Sequence, residues 1–172
     1  MSPPSLEEAY RTHAAYIAGV GRRLLGNRHD ADELVQDVFL QAAGRLHTVR
    51  DRAALRAWLI TIAVRLASRR LRRQRLLRWV STAQTEFEQE LSTTALDPEQ
   101  HSQLLQIYRF LDTLPVSERL AWSLRHIEGH ALEEVAALCR VSLATAKRRI
   151  RAAADKLEAS LGAGPTGARG RR

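Results

Sequence analysis

The sequence predicts an all-α protein of two small helical domains joined by a linker. Apolar residues recur at spacings of three and four in successive segments, no stretch shows the alternation of a strand, and from Val80 to Leu96 periodicity fades into Ser, Thr, Gln and Glu. Of the 172 residues 45% are hydrophobic, enough to bury a core, and there is no internal repeat. The expected division is a first domain over residues 5–79, a linker over 80–97, a second domain over 98–161 and a disordered basic tail over 162–172.

The first helix is announced by Ser5-Leu-Glu-Glu8, a capping box, after which Leu6, Tyr10, His13, Ile17, Val20 and Leu24 step along one face until Gly26-Asn27. Asp30, with Glu33 three residues on, is the expected cap of a second helix. Its stripe is Leu34, Val35, Val38, Phe39 and Ala42, and its other face holds Asp32, Glu33, Gln36 and Asp37. A third helix is expected from near Asp51 to about Arg78 with Leu55, Leu59, Ile62 and Leu66 as its buried edge. Arg65, Arg69, Arg72 and Arg73 share one side of it, with Trp58 adjacent. Asp97-Pro98-Glu99 restarts helix, and Leu104, Tyr108 and Leu111 form its apolar face before Leu114-Pro115. Helices over Glu118–Ile127, Leu132–Cys139 and Leu143–Leu161 complete the pattern.

Charge is distributed unevenly along this chain. The net charge is +8, yet residues 45–79 hold eleven basic residues and one acidic, and residues 80–118 hold one basic and seven acidic. Two basic blocks separated by an acidic stretch imply two separate contacts with a polyanion. The single cysteine, Cys139, excludes an internal disulfide and a multi-cysteine zinc site, and on the inward side of a short helix it reads as a small core residue. No apolar run reaches the ~18 residues of a membrane span, and the first eight residues lack the basic and apolar regions of a signal peptide, so the expectation is a cytoplasmic protein. The six histidines form no HExxH pair, and there is no Gly-rich phosphate loop or Ser-centred elbow. No enzyme activity, cofactor or metal is expected.

The most specific local pattern runs from Leu132 to Arg151. A helix with Val135, Ala136 and Cys139 inward, the turn Arg140-Val141-Ser142, and a second helix that starts with small polar residues and continues into Lys147-Arg148-Arg149 has the form of a helix-turn-helix. Residues at the start of the second helix would reach base edges, and the basic turn after them would hold phosphates. A three-helix bundle with a solvated basic face is the competing reading. The one-signed block at 45–79 favours phosphate contact, because a solvated helix surface normally interleaves both signs. The acidic face at 30–43 repels nucleic acid and is either plain solvation or a docking patch for a basic protein.

Two ordered groups of motifs resemble one family. Asp30-Ala-Asp-Glu-Leu-Val-Gln-Asp-Val-Phe39, followed by Ala54-Leu-Arg-Ala-Trp-Leu-Ile-Thr-Ile-Ala63 and an arginine run, resembles region 2 of a bacterial RNA polymerase sigma factor. Leu111-Asp-Thr-Leu-Pro115, Glu128-Gly129 and the segment ending Thr145-Ala-Lys-Arg-Arg149 resemble region 4, and the short chain resembles the extracytoplasmic-function (ECF) group. The resemblance covers roughly residues 5–161. It implies that Asp32, Glu33, Gln36 and Asp37 dock on the clamp coiled coil of the polymerase core's largest subunit, and that Arg56, Arg65, Arg69, Arg72 and Arg73 meet the proximal (minus-10) promoter element. Ser142, Ala144, Thr145, Lys147, Arg148, Arg149 and Arg151 would meet the upstream (minus-35) element. Promoter DNA and polymerase core are the implied partners, an anti-sigma factor a further possible one, and the linker would thread the RNA-exit path.

The sequence departs from the family pattern at several points. Val64-Arg65 and then Arg69 stand where Arg-Asn and then Asp are usual, Arg140 where the turn usually has glycine, Ala144 where a second glycine is common, and Ile60 where an aromatic is frequent. Arg140 is expected to adopt the turn at modest cost. The alternative function is a free-standing regulator that binds symmetric operator DNA as a dimer. A helical nuclease or recombinase would need clustered acidic ligands or a nucleophile near the basic face, and Asp51 alone does not supply them.

Overall fold

The structure, a computed structural model, describes residues 5–49, 51–78 and 97–162. The expected linker, apart from Asp97, and the expected tail beyond Gly162 lie outside the described residues. The described residues form seven α-helices and no strand. They are α1 (Leu6–Leu25), α2 (Arg28–Ala43), α3 (Leu55–Arg78), α4 (Pro98–Thr113), α5 (Val116–His126), α6 (Leu132–Cys139) and α7 (Leu143–Gly162), with a 3-10 turn at Leu46–Thr48 that the periodicity did not reveal. None of the described helices is long and apolar enough to cross a membrane.

Local chemistry sets the boundaries. Ser5 Oγ accepts from the Glu8 amide at 3.1 Å, which is half of the expected capping box; the Glu8 carboxylate takes Arg52 instead. Gly26 closes α1 in the left-handed region at φ 90°, where a side chain would be strained. The next helix is capped by Asn27 rather than Asp30. Asn27 is extended and its side-chain oxygen accepts from the Asp30 amide at 2.7 Å, so Asp30 falls within the first turn of α2. The third helix begins at Leu55, later than Asp51, because residues 52–54 form a turn held by Asp51 Oδ1 accepting from the Ala53 amide at 2.9 Å.

The expected stripe of α2 is fully interior: Leu34, Val35, Val38, Phe39 and Ala42 are all buried. So are Leu55, Leu59, Ile62 and Leu66 of α3, joined by Ile60, Ala63, Val64, Ala67 and Leu71, so that α3 buries a wider arc than a single edge. In α1 the stripe holds at Ile17, Val20 and Leu24, but Leu6 and Tyr10 are exposed, and Tyr10 packs edge-on against Phe39 of α2 at 4.9 Å. Gly21 allows α2 to approach α1 closely. A Cβ there would meet Leu34 Cδ2 at 3.1 Å and the Ala31 Cβ at 3.2 Å.

The two helical units share one apolar core. Leu120, Ala121 and Leu124 of α5, Val135 and Ala136 of α6 and Ala146 of α7 belong to the same cluster as Ile17, Leu34 and Leu59. Polar contacts reinforce this joint. Arg119, 5% exposed, donates Nη2 to the carbonyls of Leu24 (3.1 Å) and Leu25 (3.3 Å), the open C-terminus of α1, and Nη1 to Asp112. Arg23 meets Glu128 through two bonds of 2.6 and 2.9 Å, and Arg75 donates to the Leu114 carbonyl at 3.1 Å. Of these the bidentate Arg23–Glu128 pair, whose carboxylate is buried, is of the strong charge-assisted kind.

Candidate nucleic-acid and protein interfaces

Along α3 the spacings of Arg65, Arg69, Arg72 and Arg73 keep them within one quadrant of the helix. Arg69, Arg72 and Arg73 are exposed and, among the described residues, none of the four forms an ion pair. Arg65 is half-buried and donates to Gln41 of α2, while its Nε is buried without a partner. Arg56 does not join them. It lies nine residues before Arg65, about two and a half turns, and its guanidinium stacks 3.9 Å above the Tyr16 ring of α1.

Trp58 is half-buried, packed on the core and lining a cleft of about 460 Å³ with Gln41, Arg45, Thr61, Arg65 and Arg140. It is therefore anchored along one side and open along the other.

Arg70, missed by the spacing argument because it lies off that quadrant, turns toward α2. Its guanidinium, 19% exposed, meets Glu33 at 2.7 Å and Asp37 at 2.5 Å, with Asp30 at 3.8 Å. The hydrogen bond from Arg70 holds the Glu33 carboxyl below its usual range. Burial opposes the charge on Arg70, and the bonds from Glu33 and Asp37 outweigh it, raising its pKa further. Of the four expected docking residues, Asp32, Glu33 and Gln36 are exposed and Asp37 is half-buried. Only Asp32 and Gln36 stand clear of Arg70; Asp32 has a loose contact with Arg28 at 3.7 Å. Leu40, 72% exposed and one turn after Gln36, adds an apolar element that the charge pattern could not reveal.

In the helix-turn-helix, Val135 and Ala136 are buried and Cys139 is half-buried. Burial pushes the Cys139 thiol up, partly offset by nearby Arg149. Arg140 takes the left-handed conformation at φ 53°, ψ 50°, as the turn demands. Ser142 Oγ accepts from the Thr145 amide at 3.2 Å and shares a hydrogen bond with the Thr145 hydroxyl at 3.0 Å, so Ser142 starts α7. Ser142, Ala144, Lys147, Arg148 and Arg151 are exposed, whereas Thr145 and Arg149 are half-buried. Arg151 pairs with Asp155 at 2.8 Å. The arrangement offers a first turn in which exposed Ser142, Leu143 and Ala144 are flanked by Arg140 and Lys147. No group of His, Cys, Asp or Glu able to hold a metal occurs among the described residues.

Comparison with known proteins gives this geometry its class. The family model for Sigma-70 region 2 matches residues 9–76, and that for Sigma-70, region 4 matches residues 104–157. The chain is 33% identical over 140 residues to the ECF RNA polymerase sigma factor EcfG of Rhodopseudomonas palustris, covering 80% of this chain and 75% of that one. To the ECF RNA polymerase sigma factor SigE of Mycolicibacterium smegmatis it is 32% identical over 151 residues, covering 86% of this chain and 58% of that relative's length. In fold it is similar to the sigma factor RpoE of Bartonella quintana, solved with the anti-sigma factor NepR, with a TM-score of 0.63, 23% identity and coverage of 91% of this chain and 96% of that one. The chain belongs to the sigma-70 family of RNA polymerase sigma factors, in its ECF group.

Proposed function

We propose that this protein is a promoter-specificity subunit: it binds RNA polymerase core through the exposed face of α2, meets the minus-10 element with Arg65, Arg69, Arg72 and Arg73 of α3, and reads the minus-35 element with the start of α7. The observation that carries this reading is the sorting of charge between adjacent helices. The exposed acidic residues of α2 suit a basic protein surface, and Arg69, Arg72 and Arg73 of α3, exposed and without an ion pair among the described residues, suit phosphate. On α7, Ser142 and Ala144 leave room for base edges, while Lys147 and Arg148 reach the backbone on either side. Such a subunit does no chemistry of its own, in keeping with a family of non-enzymatic specificity factors.

The test targets docking and spares the Arg70 cluster. Asp32→Arg combined with Gln36→Arg changes two exposed side chains and costs the fold only the loose Arg28 contact, worth at most about 1 kcal/mol. Like charges facing a basic partner cost on the order of several kcal/mol. Affinity for core should therefore fall by at least about a hundredfold, with circular dichroism unchanged. A folded variant that binds core and initiates normally would overturn the docking assignment and favour a free-standing regulator.

A further inference from the structure

Between α3 and the helix-turn-helix lies a second cleft of about 200 Å³, lined by Arg65, Arg69 and Arg72 on one wall and by Arg140 and Arg149 on the other. Ser68, Ser117 and Cys139 also line it, and among the described residues no carboxylate does. Of the other cations that cross the joint between the units, Arg23 meets Glu128, Arg119 meets Asp112 and two carbonyls, and Arg75 meets the Leu114 carbonyl. The five cleft arginines form no ion pair among the described residues, and the Arg65 Nε is buried with nothing to bond. Arg140 adds a charge from a backbone conformation that glycine would adopt without strain. Facing like charges oppose closure of the joint unless an anion intervenes.

We propose that this cleft is a binding site for a small polyphosphate anion, a chain of two or three linked phosphates that bridges the arginines of α3 and those of the helix-turn-helix. Guanidinium forks bind phosphate oxygens in pairs, and cations on both walls call for more than one oxyanion group. The volume corresponds to roughly six or seven waters at about 30 Å³ each, which suits a di- or triphosphate and excludes a DNA duplex. Bound there, such an anion stabilises the closed arrangement of the two units by mass action.

The test uses the full chain without polymerase, so its failure is independent of the proposed function. Inorganic tripolyphosphate is titrated calorimetrically at constant ionic strength into wild type, Arg140→Gly, Arg140→Lys and Arg11→Ala, an exposed arginine of α1 outside the cleft. Arg140→Gly should keep or raise the melting temperature, because glycine relieves the left-handed residue. The expected result is one anion per chain, with affinity reduced about tenfold in Arg140→Gly, largely retained in Arg140→Lys and unchanged in Arg11→Ala. Absence of binding, or equal weakening by Arg11→Ala and Arg140→Gly, would overturn the proposal. So would displacement of tripolyphosphate by a single-stranded oligonucleotide whose own binding is equally sensitive to Arg140→Gly, since the cleft would then belong to the DNA backbone.

Discussion

The cations of α3 and those of α7 are presented by different rules. On α3 they stand in register along one side of a 24-residue helix, with Arg65 tied to Gln41 and the small residues between them, Ala67 and Ser68, buried and half-buried. On α7 they follow a first turn in which the small Ala144 and Thr145 stand beside exposed Leu143, and the helix start is fixed by the Ser142 cap. A row of guanidinium groups reads the spacing of phosphates, whereas small residues flanked by cations bring a helix close enough to read base edges. On the proposed reading, the α3 face supplies sequence-tolerant attraction and the α7 start supplies register. Reversing Arg69 and Arg72 to Glu should therefore give the larger loss. Both are exposed and form no ion pair among the described residues, so the fold should persist; four units of charge change where phosphate is expected. Promoter opening, followed by permanganate reactivity, should fall on the order of a hundredfold at moderate salt, with core affinity nearly unchanged. Loss of core binding instead would move the docking surface onto α3.

The contrast is sharpened within α7 itself. Lys147→Ala should weaken binding to all upstream sequences alike and lower the salt slope by about one. Ala144→Gln should leave the slope unchanged and alter which upstream sequence is preferred. Ala144 is the cleaner site than Thr145, because the Thr145 amide and hydroxyl both take part in the Ser142 cap. Binding titrations across a set of sequences at several salt concentrations separate the two effects. If Lys147→Ala changed the preferred sequence and kept the salt slope, the division between register and attraction would be wrong.

What could be read in advance follows a physical pattern. Short-range periodicity identified the buried stripe of α2 because five apolar residues within nine positions can satisfy only one helical face. It could not choose between Asn27 and Asp30 as the cap, since either side chain serves and the choice depends on how the chain leaves Gly26. The family resemblance groups Arg56 with the α3 arginines, although nine residues carry it to the opposite side of the helix from Arg65. Arg119 was invisible as an interior residue. A lone arginine becomes worth burying only where the C-terminal carbonyls of α1 arrive to receive it, and that depends on contacts ninety-odd positions apart. The only advance signal was its place between Val116 and Ser123 on an otherwise inward face.

The smallest predicted effect tests whether the Arg70 cluster is a structural clip between α2 and α3 and not part of the basic face. Arg70 lies within the same arginine run as Arg69 and Arg72, yet its guanidinium is spent on Glu33 and Asp37. The Glu33 carboxyl titrates below its ordinary range because Arg70 donates to it. A carboxyl with a depressed folded pKa adds stability at pH values above its unfolded pKa, and that stability is lost as pH falls through the folded value. Arg70→Gln should therefore lower the urea midpoint at pH 7, and the gap to wild type should narrow as pH drops below the usual carboxyl range. The cluster is partly open to solvent, so the gap should be modest. Arg70 is held away from phosphate, so DNA affinity of the isolated protein should fall less than for Arg69→Gln. If Arg70→Gln left the pH dependence of stability intact and weakened DNA binding as much as Arg69→Gln, Arg70 would belong with the face of α3, and the separation of acidic and basic surfaces would no longer hold.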